Sequence, residues 1–378
     1  MIDNNRANMM ITDVDTNKVY FSPYIRNYKC WENIRRALEA HQVKYGFLCN
    51  TKDTCARDYM PLQVRQQAFI DYIYYPDYLK DEYLYRTENK LVCYDFIGSN
   101  FDKVRLVIDG GNLIKCDSKI IMTEKVFTEN KNIPHDLLLD KLREAFGCEV
   151  VIIPWDPDDK YGHADGMVRY VEPGHVVINN YKDYNPHLRE EMLKILGQHF
   201  DTVSELTYGK NDRVASWAHL NFLRVGHVIF VPQLNIASDR LAMEQIASIY
   251  PQCETVPVEV KGIVRKGGAL NCVSWNIQEP AESLCGNTYE HLAEEIHAYL
   301  LKHKVTESSI GGLLHTVILK KSAYKSDKTA ASVSLQTLLD ELHKVIKTHK
   351  QIKIVDLYPD GAIIGIPENI PYRYEVRK

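Results

Sequence analysis

The sequence predicts an α/β protein built from five strand–strand–helix–strand units, followed by a small α+β domain at the C-terminus. The first observation behind this is a repeat. Segments 57–64, 109–114, 163–168, 219–223 and 267–275 each open with polar or glycine-rich residues and run into a short apolar strand. The second is its regularity. With Asp58, Asp109, His163, His219 and Cys272 as anchors, the spacings are 51, 54, 56 and 53 residues. A unit that repeats at this length cannot bury its apolar face alone, so it stacks on its neighbours, around an axis or along a solenoid. The third observation is that the pattern stops after about Cys285, where two helical periodicities and a hairpin-like end take over.

The elements follow in chain order. Trp31 to His41 is an amphipathic helix ahead of the first opening. Second strands follow the openings at Ile120–Met122, Val176–Ile178 and Val228–Val231. Helices follow them at His135 to Phe146, Arg189 to Phe200 and Asp239 to Tyr250, the first stopped by Gly147. Third strands come next, at Val150–Ile153, Thr202–Val203 and Thr255–Val258. The fifth unit lacks its later part after Trp275, and Val19-Tyr20-Phe21 is the strand that can supply it and close a ring. Beyond the repeat, helices are expected over Tyr289–His303 and Leu335–Thr348, with an exposed loop over Lys320–Thr329 between them. A hairpin of Ile352–Val355 and Ala362–Ile364 then turns at Pro359-Asp360-Gly361. The expected division is 1–285 for the ring and 286–378 for a winged-helix-like domain of unassigned role.

Composition narrows the function classes. Hydrophobic residues make up 45% and charged residues 25% of the 378, and the net charge is −4. No global basic field draws such a chain to nucleic acid or an anionic membrane. The C-terminal helix at 335–348 carries Lys344 and Lys347 but also Asp340 and Glu341, which is not a concentrated basic face. No stretch approaches the roughly 20 apolar residues of a membrane helix. The nine cysteines are scattered without a C-x-x-C pair, as in a reducing compartment, and no His/Cys set has zinc spacing. The first 17 residues show no basic segment leading into an apolar run. Cytoplasmic placement is the expectation.

In a ring, equivalent positions converge on the axis. Here those positions hold Asp58, Asp109, His163 and Cys272, with Asp165 two residues after His163. Strand residues at i and i+2 share a face, so His163 and Asp165 are expected to point into one space. Carboxylates hold a planar cation with several N–H donors in bidentate pairs, a task for Asp58 and Asp165. A thiol needs activation, and an imidazolium and a bound cation both favour the thiolate of Cys272. His163 can protonate a departing nitrogen and then activate water, with Asp109 orienting it. Each residue also has a plain reading. A single Cys in a strand is usually a small buried hydrophobe, Asp-Gly-Gly-Asn at 109–112 is usually a turn, and Gly-His-Ala-Asp-Gly at 162–166 is half a metal site at most. Only the shared phase of the anchors raises the catalytic reading above these. By the same measure, the Tyr-rich stretch from Tyr72 to Tyr94 and the acidic segment from Val151 to Tyr161 read first as packing and solvated loop, and Arg169 as paired with a neighbouring acid.

Four segments then resemble one family. Thr51-Lys52-Asp53-Thr54-Cys55-Ala56-Arg57-Asp58-Tyr59-Met60-Pro61, Asp109-Gly110-Gly111-Asn112, Gly162-His163-Ala164-Asp165-Gly166 and Gly267-Gly268-Ala269-Leu270-Asn271-Cys272 are similar to the motifs of the agmatine deiminase and bacterial peptidylarginine deiminase family, in order, over about residues 10 to 277. The resemblance implies a pentein fold, a pseudo-fivefold propeller of ββαβ units. It also implies hydrolysis of a guanidinium group to a ureido group and ammonia through a covalent thiouronium, without metal or cofactor. By motif position it makes Cys272 the nucleophile and His163 the acid/base, sets Asp58 and Asp165 on the guanidinium, and puts Asp109 beside the reacting group. Arg57 and Asn221 join as further substrate-binding candidates. Cys55 stands where agmatine deiminases usually carry an aromatic residue, and Asn271 where they carry His. The implied partner is a small-molecule or peptide guanidine, with a homo-oligomer left open. A guanidino-ligand-binding regulatory protein and an amidinotransferase are the alternative readings.

Overall fold

A computed structural model describes residues 10–279 apart from 49–50, 67, 89–91, 93–100 and 210–212, together with 352–357 and 372–376. Each repeat folds into a three-stranded sheet of constant design: two antiparallel strands, then a third parallel to the second. In the first unit these are Leu62–Arg65, Ala68–Ile73 and Phe101–Val107. In the second they are Ile114–Cys116, Lys119–Thr123 and Glu149–Ile153. Val168–Glu172, His175–Ile178 and Thr202–Glu205 form the third, and Leu223–Val225, Val228–Gln233 and Glu254–Glu259 the fourth.

The fifth sheet closes the ring. Ser274–Ile277 pairs antiparallel with Lys18–Phe21, which pairs in parallel with Lys44–Phe47. The N-terminal strand thus supplies the place missing after Trp275, and the architecture is the expected five-bladed α/β ring. Lys18 fixes the closure with a 2.9 Å ion pair to Glu279.

A parallel third strand needs a crossover, and helices provide it on the outside of the sheets. His135–Phe146 buries Leu138, Leu142 and Phe146 against Ile120, Met122 and Val150. Gly147, at φ 65°, ends it in the left-handed conformation that favours glycine. Trp31–Ala40 lies in the closing sheet, where Ile34 and Leu38 pack on Val19, Phe21 and Val256. Ser238–Ile249 buries Ala242 and Ile246 against Ile229 and Val231. The crossover expected at Arg189–Phe200 instead runs Pro186–Leu196. Asn185 caps it through a 3.2 Å bond from the Leu188 N–H, and Pro186 sits at the first helical position, where its missing N–H costs nothing. In the first unit, the described part of the crossover consists of two 3₁₀ turns, Asp77–Leu79 and Tyr83–Tyr85.

In the C-terminal part, Ile352–Leu357 pairs antiparallel with Tyr372–Val376. The expected first hairpin strand is therefore present, with a partner later in the chain. The strand expected at 362–364, the helices at 289–303 and 335–348, and the 285/286 division lie outside the described residues. Among the described residues, no helix is long and apolar enough to cross a membrane.

Candidate active site

The openings of the units meet around a cavity of about 560 Å3. Asp58 enters it from a one-turn helix, Ala56–Tyr59. His163 precedes and Asp165 lies within a 3₁₀ turn, Ala164–Gly166, so a tight turn, not a shared strand face, aims both inward. Asn221 comes from the fourth unit and Cys272 from the fifth. Asp109 stands directly behind His163.

His163 is held from both sides. Its Nε2 is 3.1 Å from Asp109 Oδ2, and its Nδ1 is 3.6 Å from Asp58 Oδ1. Burial opposes the imidazolium, but the Asp58 charge and the Asp109 hydrogen bond outweigh it and raise the pKa to about 9. Asp58 Oδ1 accepts a 3.1 Å bond from the Gly111 N–H, and its Oδ2 one of 3.1 Å from the Tyr78 hydroxyl. Burial raises Asp58 to about 6 against the pull of His163, with Asp109 and Asp165 adding to the rise. Gly111 must be glycine for a steric reason. A Cβ there would lie 2.5 Å from His163 Nδ1 and 2.7 Å from Asp58 Oδ1.

The thiol of Cys272 is buried, with Sγ 3.2 Å from Asn221 Oδ1 and 3.6 Å from Asp165 Oδ2. Asn221 Oδ1 also accepts the Cys272 N–H at 3.2 Å, and Asn271 Nδ2 donates to Asp165 Oδ2 at 2.7 Å. Burial first, then Asp165 and Asp58, push the Cys272 thiol well above its ordinary value. In the unliganded protein it is therefore a neutral thiol. The cavity thus brings together two carboxylates, a charged imidazole and a protonated thiol.

Of the residues singled out in the sequence, Asp58, His163, Asp165, Asn221 and Cys272 line the cavity, and Asp109 bonds to His163. Arg57 does not line it. Its Nη2 donates to Asn276 Oδ1 at 2.6 Å and its Nε to the Asn271 carbonyl at 3.4 Å. It faces a separate cavity of about 30 Å3 with Asp13, Lys115 and Arg169, and supports the segment that carries Cys272. His219, the fourth anchor, is likewise structural, bonded to Tyr208 Oη at 2.9 Å and Asp239 Oδ1 at 2.8 Å. Arg169 pairs with Asp13 at 2.7 Å, as its acid-partner reading expects.

Two segments read as packing or surface in the sequence border the cavity. Tyr74 and Tyr78 come from the Tyr-rich stretch, and Asp156, Asp158, Asp159 and Tyr161 from the acidic one. Their signal was composition alone, which a surface loop shares. Cys55 also lines the cavity.

The model of the Porphyromonas-type peptidyl-arginine deiminase family matches residues 11–280. An agmatine deiminase of Pseudomonas putida is 26% identical over 215 residues, 46% of this chain and 57% of the relative. The chain spans little more than half the length of such curated relatives. Among solved structures, an agmatine deiminase of Enterococcus faecalis superposes with a TM-score of 0.58 at 18% identity, over 73% of this chain and 97% of that one. An agmatine deiminase of C. jejuni does so with a TM-score of 0.58 at 15% identity, over 71% and 95%. At these identities the structures show a common fold, the pentein ring, and the family match extends over that whole ring: the chain belongs to the Porphyromonas-type peptidyl-arginine deiminase family.

Proposed function

We propose that this protein is a cysteine-dependent deiminase that hydrolyses the guanidinium group of an agmatine- or peptidyl-arginine-type substrate to a ureido group and ammonia. One observation carries the proposal: a thiol, an imidazole and two carboxylates from three separate units border a single cavity. A packing arrangement has no use for all four together, and a receptor that only binds a cation has no use for the thiol.

Asp58 and Asp165 accept the N–H donors of the guanidinium in charge-assisted bonds. The bound cation offsets the carboxylate field on Cys272, and the thiol loses its proton to solvent to give the thiolate. Sγ adds to the guanidinium carbon, and the electron pair of the C–N π bond moves to nitrogen. The imidazolium of His163 donates its proton to the departing nitrogen as that C–N bond breaks. Ammonia leaves, and a thiouronium remains on Cys272. Neutral His163 then takes a proton from water, whose oxygen adds to the same carbon. Collapse breaks the C–S bond, the hydroxyl proton passes to the departing sulfur, and the Cys272 thiol and the ureido product are left. Asp109 steadies the imidazolium between the two half-reactions.

The rest of the lining bears on the substrate tail. Glu82, Asp156, Asp158 and Asp159 line the cavity with Lys160 and Lys266, and no arginine is among the described lining residues. This excess of carboxylates favours a tail that is cationic or neutral over one that carries a carboxylate beside the guanidinium.

The test is to incubate the full chain with agmatine, free arginine and arginine-containing peptides, and to measure ammonia and ureido product together. Stoichiometric release from at least one substrate, lost in Cys272→Ser, is the expected result. Release that persists in Cys272→Ser, or no product from any of the three, overturns the proposal.

A further inference from the structure

The mechanism above leaves one buried charge unexplained. Lys125 opens the short helix Lys125–Glu129, which follows the second strand of the second unit. Its side chain is wholly excluded from solvent. Nζ lies 2.6 Å from Asp109 Oδ2, 3.2 Å from Glu129 Oε1 and 3.3 Å from Asp77 Oδ1. It also sits 4.9 Å from the ring centre of Tyr78. A buried ammonium is retained only when its pairing offsets the lost hydration, so its partners say what it does.

Those partners lead to both halves of the candidate site. Asp109 Oδ2 is also the atom 3.1 Å from His163 Nε2, so two cationic donors share one carboxylate oxygen. Asp77 and Tyr78 belong to the turn whose Tyr78 hydroxyl bonds Asp58 Oδ2. Glu129 completes the cluster. Its carboxyl oxygens and Asp109 Oδ1 are buried, and the two carboxyls share a hydrogen bond. Burial first, then the Asp109 charge, raise Glu129 to about 9, so it holds a proton at neutral pH. Asp109 is then the one buried carboxylate placed between Lys125 and His163. The remaining charged and titratable groups around the imidazole are Asp58 at Nδ1, the rings of Tyr78 and Tyr161, and the Asp159 carboxylate, which accepts the His163 backbone N–H.

We propose that Lys125 is a positioning residue: by sharing Asp109 Oδ2 with His163 it limits how firmly that carboxylate holds the imidazolium, and through Asp77 and Tyr78 it fixes the turn that braces Asp58. Its catalytic meaning rests on the deiminase reading, while its effect on His163 does not. An acid that must release its proton and then accept another works best when it is not locked in one state. Asp58 and Asp109 alone favour the locked, charged state, and the Lys125 charge opposes them.

The experiment separates the two readings. In the Cys272→Ser background, the protonation of His163 is followed by NMR of ¹⁵N-labelled histidine as pH is raised. Lys125 Nζ and His163 Nε2 meet on Asp109 Oδ2, at 2.6 and 3.1 Å, and loss of the cation moves the His163 midpoint up by about one to two pH units at an effective dielectric of about 20–40. Lys125→Met and Lys125→Gln, the second keeping a donor for Asp109, are both expected to show this shift, and Lys125→Arg to restore the original midpoint. In protein with Cys272 intact, the alkaline limb of kcat/KM moves in the same direction. An unmoved midpoint in either folded variant overturns the proposal. A moved midpoint, in a protein that turns over none of the guanidines, upholds the role of Lys125 and overturns the deiminase reading instead.

Discussion

Removing the charge of Asp165 should abolish turnover and yet make Cys272 more reactive. Asp165 Oδ2 is 3.6 Å from Cys272 Sγ, and it is the nearer of the two carboxylates that hold the thiol neutral. At an effective dielectric of about 20–40, a unit charge at that distance disfavours the thiolate by about 2–5 kcal/mol, or roughly two to three pKa units. Asparagine is close to isosteric, and its Oδ1 still accepts from Asn271 Nδ2, so the local scaffold survives Asp165→Asn. Below the thiol pKa, the alkylation rate follows the thiolate fraction, partly offset because a less basic thiolate is a weaker nucleophile. The net gain is about tenfold for a two-unit drop. The assay is iodoacetamide labelling at pH 8 without substrate, with the Cys272 peptide quantified by mass spectrometry over time. Cys55, in the same cavity, is resolved on its own peptide. Equal or slower labelling of Cys272 in the variant would refute the argument that Asp165 suppresses the resting thiolate.

Asp58, raised to about 6, is neutral below that pH and charged above it, so affinity for a guanidinium ligand should climb through pH 6 and then level. Calorimetry on Cys272→Ser should show this step, and Asp58→Asn should flatten it and weaken binding by about 10–100-fold, the worth of a charged hydrogen bond. Gly111→Ala places a Cβ against His163 Nδ1 and Asp58 Oδ1, so it should lose most turnover while its melting temperature falls little. Full activity in that variant would show that the two side chains are free to move apart. Phe21 is fully buried in the closing sheet, so Phe21→Ala should cost about 3–5 kcal/mol in urea unfolding. A change below about 1 kcal/mol would mean that the N-terminal strand is not integral to the ring.

The ring was legible because its periodicity is carried by two independent signals, strand openings and helix faces. The strand closing it could be inferred because the repeat breaks off after Trp275 while the apolar Val19–Phe21 had no unit of its own; the later strands of the first unit, Ala68–Ile73 and Phe101–Val107, were not read from the sequence. Helix limits were legible where a glycine stops the helix, as at Gly147, and misplaced where the start depends on capping, as at Asn185 and Pro186. Asp58, His163, Asp165 and Cys272 were legible because they share one phase of the repeat. Arg57 shares the motif but not the direction: one residue along a single helical turn, its side chain points away from the cavity. Tyr78 and Lys125 were not legible at all. Each touches the site from outside the repeat phase, and a lysine at the start of a helix carries no mark that tells a buried ion pair from a solvated one.

The charge arrangement makes the ligand part of the nucleophile's activation. The carboxylates of Asp58 and Asp165 disfavour a thiolate on Cys272, and among the described lining residues the cations, His163, Lys160 and Lys266, are outnumbered by acids, so a thiolate adds negative charge to a site already short of cations. A guanidinium corrects that shortage on the spot, so binding and thiol ionisation favour each other by the same free energy. Water or a neutral amide in the same place corrects nothing and leaves the thiol protonated. The same balance governs the end of the reaction. In the proposed reaction the ureido group is uncharged, and with the guanidinium gone the carboxylates lose their partner and the thiolate its counter-charge. Hydrolysis therefore erases the property that held the substrate, and product release follows from the change in charge that the chemistry itself produces.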